Sequence, residues 1–201
     1  AGLLESGSYA EAEPLSTQLV NSKPACEVGY DNLVAFARLK LELKKPDEAL
    51  HVCGLAIDLD EIKQGAPEVM VEAYIKLKLY SKALKVADRL IEHAPDFVTY
   101  RVHRLVALSH LRDSDKTLKA WEEILEESPE FATNPQLSYV IMNELIQDGR
   151  ISEAKHEWDR IQQLCQDWNP YLALVEPNLQ INLGNYELAI ESLTNSAKKQ
   201  P

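Results

Sequence analysis

The sequence has few of the features that mark several large classes of protein. Only three of its 201 residues are cysteines, an odd and scattered set that fits neither a disulfide framework nor a metal site. Buried thiols in a reducing, cytoplasmic compartment are the simplest expectation, while a secreted or periplasmic location stays open. No apolar run approaches the ~20 residues of a membrane span. The first residues are acidic, unlike a signal peptide, so we expect no membrane insertion.

Positive charge is also scarce. The chain has 21 Lys and Arg against 32 Asp and Glu, which gives a formal net charge of -11. Binding to nucleic acid needs clustered Lys and Arg to neutralise phosphates, so we expect no nucleic-acid partner. Strand signals are missing as well, because strict apolar–polar alternation is absent and no Asn-Gly or Asp-Gly turn connects two β-rich runs. The chain is therefore expected to be helical.

What the sequence does contain is a repeated layout. A small residue recurs at intervals of 34 to 37 residues, and prolines end several of the segments, at Pro24, Pro95, Pro129 and Pro201. Three of the segments have a glycine five positions before the small residue, where a helix can end in left-handed backbone. These glycines are Gly7, Gly149 and Gly184. The small residues are Ala12, Ala49, Ala83, Thr117, Ala154 and Ala189.

Between these markers the apolar residues follow a helical period. From Tyr80 to His93 they fall on one face, with charged residues on the other. The two 37-residue intervals predict an extra turn or a longer loop near 59–66 and 129–135, and Pro177 predicts a kink in its helix. The pattern predicts eleven helices, at about residues 8–22, 28–43, 47–59, 67–78, 81–93, 97–111, 115–127, 135–147, 151–166, 170–183 and 186–199.

This layout resembles tetratricopeptide repeats. The best matches are "GSYAEA" from Gly7, "LYSKAL" from Leu79 and "GNYELA" from Gly184, each followed by a proline that ends the segment. The resemblance covers nearly the whole chain and implies an all-α solenoid, a right-handed superhelix of antiparallel helix pairs. It divides the chain into a single array of about five and a half repeats, at residues 1–24 (partial), 27–60, 66–95, 97–129, 135–166 and 170–201.

Two residue types have a structural role in such repeats. Alanine lets two helix backbones approach closely, and the aromatic three positions earlier (Tyr9, Tyr80 and Tyr186) is expected to fill the wedge between the helices of a repeat. The chain starts on a second helix and reaches Pro201 without a polar capping helix. Since an uncapped solenoid exposes an apolar end, we expect either part of a longer array or ends that associate with each other or with another domain.

The resemblance also implies a function. Such arrays are non-enzymatic scaffolds that bind a peptide or a partner domain in a concave groove, which the first helix of each pair lines. Asn143 and Gln147 share a helix face with Tyr139. Either their amides form hydrogen bonds to a ligand backbone or the face is simply polar and exposed. The expected groove residues are Asn32, Arg38, Glu72, Lys76, His103, Val106, His110, Tyr139, Asn143, Gln147, Tyr171 and Asn178.

Three features have alternative interpretations. The best-known groove of this family clamps a terminal carboxylate, but only Asn32 is of the right type here, and Glu68 and Glu72 would repel a carboxylate. The basic stretch 101–119 either receives an acidic partner or pairs with the acidic turns 122–127. The segment that contains Trp168, Tyr171, Leu174 and Val175 is either an interface or core between repeats.

Motifs for chemistry are missing. The sequence has no glycine-rich phosphate loop, no nucleophile elbow and no His-Glu-x-x-His helix. His103 and His110 would lie ~10 Å apart on one helix, too far to share a metal, and His51, His93 and His156 are expected at the surface. We expect no enzyme activity, cofactor or metal. Two alternatives stay open: the recognition domain of a larger enzyme (a glycosyl- or sulfotransferase, or a peptidase) and an RNA-reading array, which the acidic charge disfavours.

Overall fold

The computed structural model describes residues 9–61, 63–164 and 169–199, and all regular structure within these ranges is helical. In this part of the chain no helix is long and apolar enough to cross a membrane. In chain order the helices are α1 (Tyr9–Ser22), α2 (Ala25–Val28), α3 (Tyr30–Glu42), α4 (Pro46–Ile57), α5 (Gly65–Lys76), α6 (Tyr80–His93), α7 (Val98–His110), α8 (Ser114–Glu127), a 3-10 turn (Pro129–Thr133), α9 (Pro135–Gln147), α10 (Ile151–Leu164), α11 (Pro170–Asn182) and α12 (Tyr186–Lys199).

All eleven predicted helices are present, with ends within two residues of the prediction wherever those ends are described. The 3-10 turn lies where the second 37-residue interval predicted extra residues. The first 37-residue interval contains the short helix α2. Near 59–66, where an extra turn or a longer loop was predicted, a loop separates Ile57 from Gly65, and it is longer than the connection between His93 and Val98. Helix α11 continues through Pro177, which is buried.

Each turn from a first helix to a second helix has the same backbone geometry. The residue five positions before the small residue has a positive φ, and the next N–H donates to the carbonyl five residues earlier. Glycine was predicted at two of these turns; at three others a long side chain adopts the same conformation. The residues are Gly149 (φ 75°), Gly184 (φ 79°), Lys44 (φ 59°), Lys78 (φ 59°) and Arg112 (φ 57°). Gly7 lies outside the described residues.

The helices alternate between two roles, and the chain packs as two compact units, residues 1–107 and 108–201. We call α3, α5, α7, α9 and α11 the first helices, and α1, α4, α6, α8, α10 and α12 the second helices. In the first unit, α3 packs on α1, α4 and α5, and α5 packs on α4 and α6. In the second unit, α9 packs on α8, α10 and α11, and α11 packs on α10 and α12. Neighbouring first helices therefore lie side by side within each unit.

The small residues that were predicted at close helix crossings are all buried, as such positions require. They are Ala12, Ala49, Ala83, Thr117, Ala154 and Ala189. The aromatic three positions earlier does not fill the predicted wedge in every repeat: Tyr80 is half-buried, but Tyr9 is 38% exposed and Tyr186 is 65% exposed. Each of these tyrosines is the first residue of its helix, and helical side chains lean toward the N-terminus. This general direction carries a side chain at the first helical position away from the small residue three positions later.

The cysteines are not alike. Cys53 is buried, and its burial raises the pKa of the thiol to about 12, so it is an unreactive apolar side chain. Cys26 is exposed, which contradicts the expectation of buried thiols at that position. It lies in the short helix α2, whose one buried residue is Val28. Cys165 lies outside the described residues.

Candidate binding surfaces on the first helices

The first unit has a chain of polar contacts across its first helices. Arg38 of α3 donates from Nη2 to Oε2 of Glu68 on α5, at 3.1 Å. The hydroxyl of Tyr100 on α7 donates to the other oxygen of Glu68 at 2.7 Å, and Oε1 of Gln64 is a further acceptor 3.0 Å away. Burial, and then the hydrogen bond to Glu68, raise the pKa of Tyr100, so the phenol remains a donor. Three first helices are thus linked through one carboxylate.

His103 lies one turn after Tyr100 and has an unusual environment. Its Nδ1 atom is buried, and within the described ranges it has no hydrogen-bond partner. Burial lowers the pKa of His103, while the nearby carboxylates of Glu72 and Glu68 act in the opposite direction. The ring is therefore neutral near pH 7, and one of its nitrogens lacks the partner that a buried polar atom normally has.

The other predicted residues of this surface lie on the same helices. Glu72 is half-buried and Lys76 is exposed, both on α5. Asn32, at the start of α3, donates its amide to the carbonyl of Val28 at 2.8 Å, so its donor is partly used within the fold. Val106 on α7 is half-buried. The fold therefore places Arg38 in contact with Glu68, and it places His103 close to Glu68 and Glu72. Asn32 lies at the edge of this surface.

The second unit has a surface of aromatic and amide side chains. Tyr139 of α9 and Tyr171 of α11 contact each other, with ring centroids 6.1 Å apart and planes inclined by 55°. The amide of Gln136 donates to the Tyr171 hydroxyl at 2.7 Å. Asn143 follows Tyr139 by one turn and is half-buried, and Gln147 is exposed a further turn along. Within the described residues no hydrogen bond occupies either of these two amides.

A shallow cleft opens beside Tyr171, where α9 and α11 begin. It has a volume of about 480 Å³. Its lining residues are Glu130, Phe131, Thr133, Asn134, Pro135, Gln136, Asn169 and Tyr171. Asn134 and Asn169 cap the two helices, because their side chains accept from backbone N–H groups of the first turn. The cleft therefore has fixed walls and lies next to the tyrosine pair.

Two predicted residues lie at the edges of these surfaces. His110 ends α7, and partial burial lowers its pKa. Asn178 on α11 accepts from the side chain of Asn182, at its carbonyl (2.8 Å) and at Oδ1 (3.2 Å). Of the segment near Tyr171, Val175 is buried and Leu174 is 61% exposed. Trp168 lies outside the described residues.

The basic stretch 101–119 is used in several internal contacts. Arg104 pairs with Asp88 of α6 at 3.1 Å, and Lys116 pairs with Asp113 at 2.7 Å. Lys119 has an ion pair with the acidic turns, at 4.0 Å from Glu123. The predicted pairing with residues 122–127 is therefore present at Lys119, while Arg104 and Lys116 pair with other carboxylates.

The sequence interpretation weighed Glu68 only as a residue that would repel a carboxylate, and it missed three residues of these surfaces: Gln64, Tyr100 and Gln136. Each precedes another surface residue by three or four positions, Gln64 from just before the first residue of α5, and residues at that spacing on a helix share a face. Tyr100 precedes His103, for example, and Gln136 precedes Tyr139. Helical spacing from the predicted residues could therefore have identified them.

Three further clefts lie between successive second helices. Their volumes are about 340, 280 and 310 Å³, and each contains one of the histidines that were predicted at the surface, His51, His93 and His156. All three histidines are exposed, as expected. In the parts of the chain that the structure describes, no three His, Cys, Asp or Glu side chains are grouped to hold a metal ion.

Solved structures share this arrangement of helices. A tetratricopeptide repeat protein from Parabacteroides merdae ATCC 43184 matches 99% of this chain and 75% of its own length, with a TM-score of 0.76 and 16% identity. A MamA chain from Desulfovibrio magneticus RS-1 matches 84% of this chain and 93% of its own, with a TM-score of 0.70 and 14% identity. A thermophilic TPR protein from Thermus thermophilus matches 86% of this chain and 92% of its own length, with a TM-score of 0.69 and 15% identity.

Identities this low show the fold alone. No protein-family profile matches the chain, and no curated protein matches it.

Proposed function

We propose that this chain, which has the fold of tetratricopeptide repeat proteins, is a non-enzymatic scaffold that binds a peptide or partner domain through its first helices. The observation that carries the proposal is in the second unit. The amides of Asn143 and Gln147 have no hydrogen-bond partner among the described residues, and they lie on the helix of Tyr139, beside its contact with Tyr171. A surface that combines ring faces with unused amides suits a polypeptide ligand.

The spacing of the two amides fits an extended chain. Asn143 and Gln147 are four residues apart, which is ~6 Å along a helix. An extended peptide repeats every second residue, or ~6.6 Å, so alternate residues of a ligand can each meet one amide. An amide side chain has both donors and an acceptor, as the peptide backbone requires. The tyrosine pair and its adjacent cleft then contact an apolar side chain of the same ligand.

The surface of the first unit, taken by itself, favours a ligand with a basic side chain. Glu72 is half-buried and has no ion-pair partner in the described part of the chain, whereas Glu68 is already paired with Arg38. Glu72 thus leaves an uncompensated negative charge on this surface, which attracts a Lys or Arg side chain. This charge also disfavours a ligand that binds through a terminal carboxylate.

The proposal is tested by selecting ligands and mutating the amides. Random 12-residue peptides displayed on phage are selected on the intact chain, and the Kd of each selected peptide is measured by calorimetry. Asn143→Ala with Gln147→Ala should weaken binding by about tenfold or more, because two hydrogen bonds are lost. The matched control is Gln162→Ala with Gln163→Ala, two exposed amides on the second helix α10. Peptides that bind both double variants as tightly as the parent chain would contradict the proposal.

The recognition domain of a larger enzyme is the alternative function. It would use the same peptide contacts and would differ only in what is attached to the repeats. No cluster of side chains among the described residues favours it.

A further inference from the structure

An exposed face of the second helix α6 carries a row of cations. Lys82, Lys85 and Arg89 follow one another at spacings of three and four residues, so they share one face of the helix. Lys78 precedes them, in the turn that leads into α6. All four side chains are exposed. We call Lys78, Lys82, Lys85 and Arg89 the α6 stripe, which extends ~16 Å along the helix direction.

The cations of the α6 stripe form no ion pair within the described ranges. The ammonium group of Lys82 lies 5.7 Å from the centroid of the Tyr74 ring, which orients the cation without neutralising it. Two carboxylates lie near one end: Glu92 follows Arg89 by three residues, and Glu61 lines the same cleft as Arg89. Neither pairs with it in the part of the chain that the structure describes. The stripe is therefore uncompensated positive charge on a chain whose net charge is -11.

The second helix α8 shows how this chain neutralises cations at the same positions. Lys116 and Lys119 of α8 stand 34 residues after the two lysines within α6 and occupy the same repeat positions. Lys116 pairs with Asp113 at 2.7 Å, and Lys119 pairs with Glu123 at 4.0 Å. Each of these cations thus has a carboxylate three or four residues away, at the start of α8 or within it.

Both of these carboxylates are missing from α6. Leu79 stands at the position of Asp113, and Arg89 stands at the position of Glu123. Leu79 precedes α6 without a side-chain capping bond and is 41% exposed, whereas the side chain of Asp113 accepts from a backbone N–H of the first turn of α8. The position of Lys82 is a glutamate in α4 and in α10. Helix α6 therefore lacks the carboxylates that α4, α8 and α10 have at these positions.

The spacing and charge of the stripe indicate the chemistry of its ligand. Cations three or four residues apart on a helix are ~5–6 Å apart, close to the ~6.6 Å between alternate residues of an extended acidic peptide. The exposed Leu79 adds an apolar contact beside Lys78. A nucleic acid, an anionic membrane or a second copy of this chain would bring many more negative charges against an acidic protein. A short acidic segment complements the stripe with less of that repulsion.

We propose that the α6 stripe docks an acidic segment of a partner protein that has an apolar residue at one end. This site lies on a second helix, so it is additional to the peptide contacts proposed for the first helices. The two sites have opposite charge preferences, because the surface with Glu72 favours a basic side chain.

The probe for the test is a capped, fluorescently labelled peptide of six glutamates followed by two leucines. It is titrated with the intact chain at low salt, and binding is followed by anisotropy. Leu79→Asp with Arg89→Glu gives α6 the two carboxylates of α8, and we call it the α8-like variant. It should weaken binding by at least about tenfold. Its Tm should stay the same or rise, because Asp caps a helix and both new carboxylates can pair with lysines.

The matched control is Gln163→Glu with Lys198→Glu. It changes the net charge by the same amount as the α8-like variant, at exposed positions of α10 and α12. It should bind the probe within about twofold of the parent chain, because distant charges are screened. Lys82→Gln with Lys85→Gln, which removes two cations and adds no negative charge, should weaken binding severalfold.

A further comparison separates this site from the first helices. Asn143→Ala with Gln147→Ala should bind the acidic probe as tightly as the parent chain does. The α8-like variant should in turn keep its affinity for the peptides selected on the first helices. Failure of one site would therefore leave the other intact.

Four results would overturn the proposal. They are no saturable binding of the probe to the parent chain, undiminished binding to the α8-like variant, equal weakening in the control, and tighter binding of phosphatidylserine vesicles or duplex DNA than of the probe. The last result would assign the stripe to a membrane or a nucleic acid. A dimer of the parent chain, detected by light scattering and lost in the α8-like variant, would likewise overturn it, because a second copy would then occupy the stripe.

Discussion

At the scale of single residues, the turns from a first helix to a second helix place different residue types in the same left-handed backbone conformation. Gly149 and Gly184 adopt it at little cost, whereas Lys44, Lys78 and Arg112 adopt it against the steric preference of an L-residue. The packing of the two helices on each side holds the turn in place. The long side chains therefore store a small unfavourable energy that glycine would remove.

Substitutions at glycine positions should test this explanation. Gly149→Ala is expected to lower the free energy of unfolding by about 1 kcal/mol, although a Cβ there meets nothing within 4 Å. Gly54→Ala, in the interior of α4 with equally open space, should raise it by about 0.5–1 kcal/mol. Lys78→Gly should also raise the free energy of unfolding. Urea unfolding gives all three values, and a loss for Lys78→Gly would show that the turn is not strained.

A second residue-scale prediction concerns His103 and pH. Its pKa is lowered from the ordinary value of 6.5 by burial, so the unfolded chain takes up a proton before the folded chain does. Stability should therefore decrease as the pH falls through 6.5 and level off below the folded-state pKa. The slope from this one proton is at most about 1.4 kcal/mol per pH unit. His103→Leu should flatten the profile and keep or raise stability at pH 7.5, because it removes a buried nitrogen without a partner.

Unfolding by urea at a series of pH values measures this profile. His51→Leu is the control, since His51 is exposed on a second helix. An unchanged slope in His103→Leu would mean that another group causes the pH dependence.

At the scale of helices, close crossings and a buried cation stabilise the pairs. Lys40 on α3 is 4% exposed, yet its ammonium group donates to Glu13 at 3.0 Å and to Thr17 at 2.9 Å, and it pairs with Glu48 at 2.8 Å. Hydrogen bonds from Lys45 and then from Lys40 lower the pKa of Glu13. This network connects three helices, α1, α3 and α4, which the apolar pattern alone would not specify.

The crossing at Ala83 gives an element-scale prediction. Ala83 is fully buried where α6 packs on α5. Ala83→Leu should force the two helices apart and lower the free energy of unfolding by about 1–3 kcal/mol through overpacking. Lys85→Leu is the control, because Lys85 is exposed on the same helix. Thermal and urea unfolding measure the effect, and equal stability of the two variants would place Ala83 away from a close crossing.

At the scale of the whole molecule, charge is the dominant property. The net charge of -11 already counts every Lys and Arg, so the excess of carboxylates has no cation within the chain to balance it. Many of the ion pairs among the described residues are between exposed side chains and contribute little. Self-repulsion of this size destabilises the compact state. It also favours basic ligands at Glu72, on the surface proposed for the first unit.

Salt should therefore stabilise the chain. Raising the NaCl concentration from 10 to 300 mM, roughly a fivefold decrease in screening length, should raise Tm by a few degrees, because screening reduces the repulsion more than it weakens the exposed pairs. Calorimetry or circular dichroism records the shift. A decrease in Tm would mean that salt weakens ion pairs such as Arg38–Glu68 by more than it reduces the repulsion due to the net charge.

The sequence by itself determined the helices, the repeat length and the small residues at the crossings. These follow from local rules: a period of 3.6 residues, left-handed backbone at Gly149 and Gly184, and the need for a small side chain where helices touch. It also indicated the face of Tyr139, Asn143 and Gln147, since residues at helical spacing share a face. It did not show that Lys78 and Arg112 take the conformation of a glycine.

Only the tertiary structure decided which positions are linked and which are left uncovered. Glu68 joins Arg38 and Tyr100, which are 30 and 32 residues away in sequence, and that contact depends on how neighbouring first helices lie side by side. Leu193 and Ala87 occupy the same repeat position, but one is exposed and the other is buried. The difference is set by whether another helix packs on that face. The local pattern of apolar residues is the same in both cases and cannot contain that information.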